Sequence, residues 1–225
     1  MSTSTPTITL KLATSLDGRI ALANGASQWI TGSQSRQAVH ALRSRADAIV
    51  TGIGTILADD PLMTARPDQD EDIIQPVRVV MDTRLRMPAT AQILDDKSNP
   101  VLIFSSGDIP GHSRAALEEE GAEIICLNRF DGPSISFRST IAMLIERGHK
   151  AIMIEAGGRL SGAAMRSGLV DRIEWFRAPV VLGGDGYPCF DPMGFERLDE
   201  APIYKRERIV ECGDDLHETY VRKDG

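Results

Sequence analysis

Three stretches of this 225-residue chain end a short apolar run in residues that could do chemistry. AIVTGIGTILADDP (Ala48–Pro61) passes through a GxG turn and a threonine placed to cap a short helix, and closes on paired acids. VVMDTRLR (Val79–Arg86) ends in an aspartate, a hydroxyl and two arginines. AIMIEAGGRLSGAA (Ala151–Ala164) ends in a glutamate and adjacent glycines. Glycine at such a junction lets backbone N–H groups approach an anion, and a helix starting there adds a favourable dipole, so the third stretch reads as a pyrophosphate cradle. It lacks the GxGxxG spacing of a dinucleotide fingerprint. Tight turns and close helix packing also call for glycine. Thr83 and Arg84 offer the hydroxyl and guanidinium that suit a ribose 2′-phosphate; an ordinary solvated turn offers the same pair.

Glu155 closes a buried run, where a carboxylate costs stability unless it is paired or opens on a cleft. Lys11 interrupts an apolar strand face and poses the same question. Asp59 and Asp60 precede Pro61, which equally suits the end of a short helix. In SLDGRIALANGASQWITG (Ser15–Gly32) a single tryptophan, Trp29, sits in a run of small residues; it reads either as an aromatic lid on a flat ligand or as a core anchor closing the loop. His40, His112, His149 and His217 have no acid or nucleophile at a telling spacing and read as solvated or locally satisfied. Cys126, Cys189 and Cys212 are far apart with no CxxC, which suits reduced, structural cysteines. HxE followed by PCxxC is missing, so neither a zinc deaminase site nor another metal site is expected.

The elements that must position these residues alternate. Thr7–Ala13 has the period of a half-buried strand, while Ala48–Val50, Val77–Met81, Val101–Phe104, Ile124–Leu127 and Ala151–Ile154 are continuous apolar runs of buried strands. Between them the pattern predicts helices over Ser33–Arg45, with Ser33 as N-cap, and over Ser113–Glu120, Ser139–Arg147 and Ser161–Ser167. That alternation predicts an α/β fold with a mostly parallel central sheet. From Asp171 on, RIEWFRAPVVLG, PIYKRERIVECG and DLHETYVRK read as antiparallel strands closing it, and residues 66–75 as an acidic surface loop. A single domain over 1–225 is expected.

Net charge is −7 with no block of like charges, which excludes a nucleic-acid footprint. No apolar run approaches the about 20 residues of a membrane span, and the N-terminus lacks a signal-peptide pattern, so a cytoplasmic protein is expected.

KLATSLDGRIA, SQWITG, VHALRSRADAIVTGIGT, LADDPLMTAR and IEAGGRLSGA, with GLVD and AP behind them, together resemble the reductase domain of the bacterial riboflavin-biosynthesis deaminase/reductase. The resemblance implies a dihydrofolate-reductase-like three-layer fold. It implies NADPH-dependent reduction of 5-amino-6-(5-phosphoribosylamino)uracil at C1′, through an open-chain or imine-like form, to the ribitylamino product. By position it implies cofactor contacts at Thr14, Trp29, Thr55, Asp59 and Thr83, beside Arg84, and a cofactor phosphate loop at Gly157, Gly158, Arg159, Leu160, Ser161, Gly162 and Ala163. Ser27, Arg43, Met63, Arg66 and Glu155 take substrate-contact positions, the arginines suiting the 5′-phosphate. Lys11 belongs near the ribose or pyrimidine, and Lys11, Asp59 and Glu155 are the groups for proton handling. Relatives of this kind imply a homodimer. In the fused family member a zinc deaminase domain precedes the reductase, and this chain begins a few residues before the reductase motifs. The expectation is therefore a free-standing reductase working with a separate deaminase, or a reductase whose leading domain was removed. Alternatives are reduction of the non-deaminated diaminopyrimidine, a pterin-type reductase, for which Ser33–Arg45 offers no pairing acid, and an NADPH-binding module without turnover.

Overall fold

In the computed structural model, which describes residues 5–67, 73–107 and 111–223, the apolar runs become neighbouring strands. The first half carries β1 (Thr7–Thr14), β2 (Arg19–Ala21), α1 (Ser33–Arg43), β3 (Ala48–Gly52), α2 (Ile53–Asp59), β4 (Val77–Met81), β5 (Val101–Ser105), α3 (Gly111–Glu119) and β6 (Ala122–Cys126). There follow β7 (Phe130–Asp131), β8 (Ser134–Ile135), α4 (Phe137–Glu146), β9 (Ala151–Glu155), α5 (Gly158–Ser167), β10 (Arg172–Arg177), β11 (Tyr187–Pro188), β12 (Tyr204–Cys212) and β13 (Asp215–Arg222). Among the described residues the main sheet has nine strands in the order β12-β13-β10-β1-β9-β3-β4-β5-β6. From β10 to β6 all pairings are parallel; β13 and β12 are antiparallel.

Alternation along each strand sorts side chains to two covered faces. On one, Leu10, Leu12, Ile152 and Ile154 pack against Ile141 and Leu144 of α4 and Ala164 of α5. On the other, Ile49, Val80 and Ile103 meet Ile56 of α2 and Leu117 of α3, and Phe176 meets Val39 of α1. Helices thus lie on both sides of the sheet, as the continuous apolar strands require.

The structure corrects several local expectations. β10 is parallel to β1, because α5 carries the chain back across the sheet before β10 begins, and the PVVLG segment after it forms no strand. Gly32, not Ser33, is the N-cap of α1, and Gly52 caps α2, so Thr55 lies inside that helix rather than at its cap. The last helix starts at Gly158, ahead of Ser161, and ends at Gly168 in the left-handed region. Asp59 ends α2 and Asp60 follows it with φ 41°, the turn that DDP suggested. Of the expected acidic loop, residues 68–72 lie outside the described residues. Among those described, no helix is long and apolar enough to cross a membrane.

Candidate active site

β1, β9, β3 and β4 are adjacent and parallel, so the segments leaving their carboxyl ends converge on one edge of the sheet. From β3 the chain proceeds outward to β4, β5 and β6; from β9 it passes through α5 to β10 on the other side of β1. At such a switch point neighbouring connections diverge and a crevice opens. All three chemistry-bearing junctions of the sequence lead into this edge.

A charged cluster sits there. Lys11 and Glu155 are Cα partners in the β1–β9 pairing, which points both side chains to the face covered by α1. Lys11 Nζ donates to Glu155 Oε2 at 3.5 Å, and Arg43, the last residue of α1, donates from Nε to Oε1 at 2.7 Å and from Nη2 to Oε2 at 2.9 Å. Burial alone would raise the Glu155 carboxyl; the adjoining Arg43 and Lys11 charges overcome it and hold the group down at about 2, against an ordinary 4.5. Glu155 is therefore ionised at neutral pH and accepts hydrogen bonds there rather than giving up a proton. The cluster holds two cations against one carboxylate, a positive surplus suited to an anionic ligand.

Arg43 also organises the chain after α2. Its Nη1 donates to the Thr64 carbonyl at 3.1 Å, and its Nη2 lies 4.0 Å from Met63 Sδ. Met63 is buried with φ 55°, a left-handed conformation that these contacts must hold against local strain. Gln75 clamps Ala65 from both sides, Oε1 accepting from its N–H at 2.8 Å and Nε2 donating to its carbonyl at 2.9 Å. The exposed Arg66 follows, its backbone N–H directed to His40 Nδ1 at 3.2 Å.

Ser27 Oγ donates to Asp59 Oδ1 at 3.3 Å, joining the loop before α1 to the end of α2. Trp29 in that loop is 70% exposed, with the Arg36 guanidinium 4.5 Å from its ring centroid, which overturns the core-anchor reading. Trp29 and Arg36 border a cleft of about 510 Å³ together with Gln34, Val180, Cys212 and Asp215; none of Lys11, Arg43 and Glu155 lines it.

On the α5 side, Gly157 is an extended N-cap without any side-chain cap, so the first-turn amides are left for an external acceptor. Arg159 Nη2 donates to Ser134 Oγ at 3.3 Å, and Thr83 Oγ1 accepts from the Ile135 N–H at 3.1 Å. The β7–β8 hairpin thereby links the second junction to the third, with exposed Arg84 and Arg159 beside it. Uncapped amides and two guanidinium groups fit the phosphates of a dinucleotide. Within the helix, Gly158 answers to packing instead. A Cβ at Gly158 would run into the Pro188 carbonyl, so that glycine admits the 188–191 segment against the helix; one at Gly162 would meet first the movable end of the Arg166 side chain.

Thr14 is fully buried, its hydroxyl accepting from Trp175 Nε1 at 2.8 Å and donating to the Ser15 carbonyl at 2.9 Å. Its side chain is committed inside the fold rather than free for a ligand. Asp82 is likewise a turn former: it is buried, and Oδ2 accepts from the Met87 N–H at 2.8 Å. The linear pattern does not single out His40, whose one signal is its place three residues before Arg43 on the same helical face. Nor does it single out Ser134, which nothing in the sequence connects with Arg159.

Residues 6–221 match the family described as the RibD C-terminal domain. The riboflavin biosynthesis protein RibD of Bacillus amyloliquefaciens is 32% identical over 227 residues, covering 100% of this chain and 60% of that protein. The 2,5-diamino-6-ribosylamino-4(3H)-pyrimidinone 5′-phosphate reductase of Methanothermobacter thermautotrophicus is 33% identical over 223 residues, covering 97% of this chain and 99% of that one. Among solved structures, Acinetobacter baumannii RibD superposes with a TM-score of 0.85 at 31% identity, covering 100% of this chain and 60% of that one. The chain thus spans about 60% of the length of the RibD relatives it matches.

Proposed function

The chain belongs to the family of the RibD C-terminal domain, and on that premise we propose that it uses NADPH to reduce the ribosyl side chain of 5-amino-6-(5-phosphoribosylamino)uracil to the ribityl form. The observation that carries this reading is the Lys11–Arg43–Glu155 cluster at the switch point, beside the uncapped start of α5. When bound, the nicotinamide supplies the hydride that saturates C1′ of the ring-opened C1′=N substrate, whose nitrogen takes up one proton to complete the amine.

Lys11 is the group in the cluster with a proton to give, since Glu155 is held ionised and the Arg43 guanidinium does not deprotonate. Glu155 orients both cations. Four of the five Arg43 N–H groups already face Glu155, Thr64 and Met63, so Arg43 mainly shapes the wall. Exposed Arg66 is then the freer donor for the 5′-phosphate. Gly157 to Ala163, Arg159, Thr83 and Arg84 would hold the cofactor's phosphates, with Arg84 and Thr83 at the 2′-phosphate. Asp59, tied to Ser27, would border the sugar. Pairing of copies through β12, the sheet edge whose residues are mostly exposed, would give a dimer, measurable by light scattering.

A second reading takes the non-deaminated 2,5-diaminopyrimidine as substrate. Its support is the Methanothermobacter relative, a reductase named for that compound, which this chain matches over nearly its whole length. NADPH oxidation followed by absorbance, with both pyrimidines side by side, separates the readings. Faster turnover of the deaminated compound supports the first and faster turnover of the diamino compound the second. No oxidation with either would remove both.

A further inference from the structure

His40 lies on α1 one turn before Arg43, half-buried over the loop that carries Met63 and Arg66. Its Nδ1 is 3.2 Å from the Thr64 carbonyl and 3.2 Å from the Arg66 backbone nitrogen. One ring nitrogen cannot serve both, because an Nδ1–H would donate to the carbonyl and a bare Nδ1 would accept from the amide. The Thr64 carbonyl already receives Arg43 Nη1, and the Arg66 N–H has its acceptor in Nδ1. Neighbouring backbone is otherwise fixed: Thr64 by Arg43, and Ala65 by Gln75 on both its polar groups. His40 supplies the last latch.

We infer that His40, as the Nε2–H tautomer, is a positioning residue that fixes the Arg66 backbone and thereby aims the Arg66 guanidinium at the substrate's phosphate; this rests on the reading of Arg66 as the phosphate donor. The surroundings favour the neutral ring. Burial lowers the His40 pKa first, and the Arg43 charge from the same helix and the Arg66 charge from the loop lower it further, with the Thr64 carbonyl and then Glu155 on β9 opposing them. Protonation would place an N–H at Nδ1 against the Arg66 N–H and break the latch. Because Arg66 is exposed, losing the latch loosens the loop without leaving a deeply buried group unpaired.

Nitrogen-15 NMR of the histidine-labelled full chain at neutral pH reads the tautomer directly. It is combined with steady-state kinetics of His40→Ala, His40→Gln and Arg66→Ala on the preferred phosphorylated pyrimidine. The expected result is a neutral Nε2–H ring, a substrate KM raised about fivefold in His40→Ala, the loss of one hydrogen bond, with kcat and NADPH KM unchanged. His40→Gln, whose amide oxygen can accept the same N–H, should recover most of that KM. A ring protonated at Nδ1 overturns the inference, as does a substrate KM that His40→Ala leaves unchanged while Arg66→Ala raises it. If Arg66→Ala leaves the substrate KM unchanged, the phosphate reading itself has failed and the proposed role of His40 falls with it.

Discussion

Two arginines, the buried Arg78 and the half-buried Arg43, show how differently one fold can use the same charge. Arg78 on β4 is 1% exposed and gives its guanidinium to three backbone carbonyls at 2.6 Å, those of Ile93, Asp96 and Asn99. That arrangement braces the connection between β4 and β5. Arg43 meets both oxygens of a carboxylate that Lys11 also holds, at the carboxyl edge of the sheet where the connections diverge. A guanidinium shared among carbonyls of one loop is committed to structure. Two cations around one carboxylate keep a positive surplus and a transferable proton at the ends of parallel strands, and that difference separates a brace from a candidate catalytic site.

Breaking each cluster should therefore give different signatures. Arg43→Met leaves Glu155 with the Lys11 ammonium as its partner and removes the support of Met63 and Thr64, so unfolding in denaturant should show a loss of about 1.5–3 kcal/mol, with turnover sharply lowered as the wall it shapes gives way. Glu155→Gln preserves shape but loosens Lys11. Turnover should fall about a hundredfold while NADPH KM stays put, and unchanged turnover would remove Glu155 from the chemistry. The same residue gives a pH test. Its folded pKa lies at about 2, below the ordinary 4.5, so its contribution to stability is complete above pH 4.5 and is lost as pH falls toward 2; the Glu155→Gln protein should lack that part of the acid dependence.

Arg78→Leu strands the buried Ile93 carbonyl and leaves those of Asp96 and Asn99 to water, and should cost about 1–3 kcal/mol with kcat and both KM values unchanged; any selective kinetic defect would blur the distinction between brace and site. Smallest is the joint change Thr83→Ala with Arg84→Ala. It should raise KM for NADPH by about tenfold and for NADH hardly at all, a difference of one charge-assisted contact. Equal losses would place the 2′-phosphate elsewhere.

Much of the fold was legible because buried parallel strands write themselves as continuous apolar runs, and Glu155 stood out because a carboxylate in such a run must be answered by something. Its partners were beyond the linear pattern. Lys11 reaches it through strand pairing across the whole chain, and Arg43 through the docking of α1, neither of which leaves a local trace. The direction of β10 was hidden for a related reason: orientation depends on where α5 returns the chain, whereas alternation within RIEWFR is the same either way. Gly158 was ambiguous between anion cradle and close packing, and only the Pro188–Asp191 segment seated on the helix shows that packing demands it. Trp29 could not be assigned to core or surface from its small neighbours alone.

If the strand-end cluster directs hydride to C1′ of a phosphorylated ribosylaminopyrimidine, the transferred atom itself should report it. The deaminated and diamino substrates would be turned over with NADPH deuterated at the transferring C4 position, and the label located in the product by mass spectrometry and NMR. One deuterium should appear at C1′ of the ribityl chain, formed by the wild-type protein and strongly diminished in Glu155→Gln at saturating NADPH. NADPH bound without label appearing at C1′ from either substrate would contradict that role for the cluster.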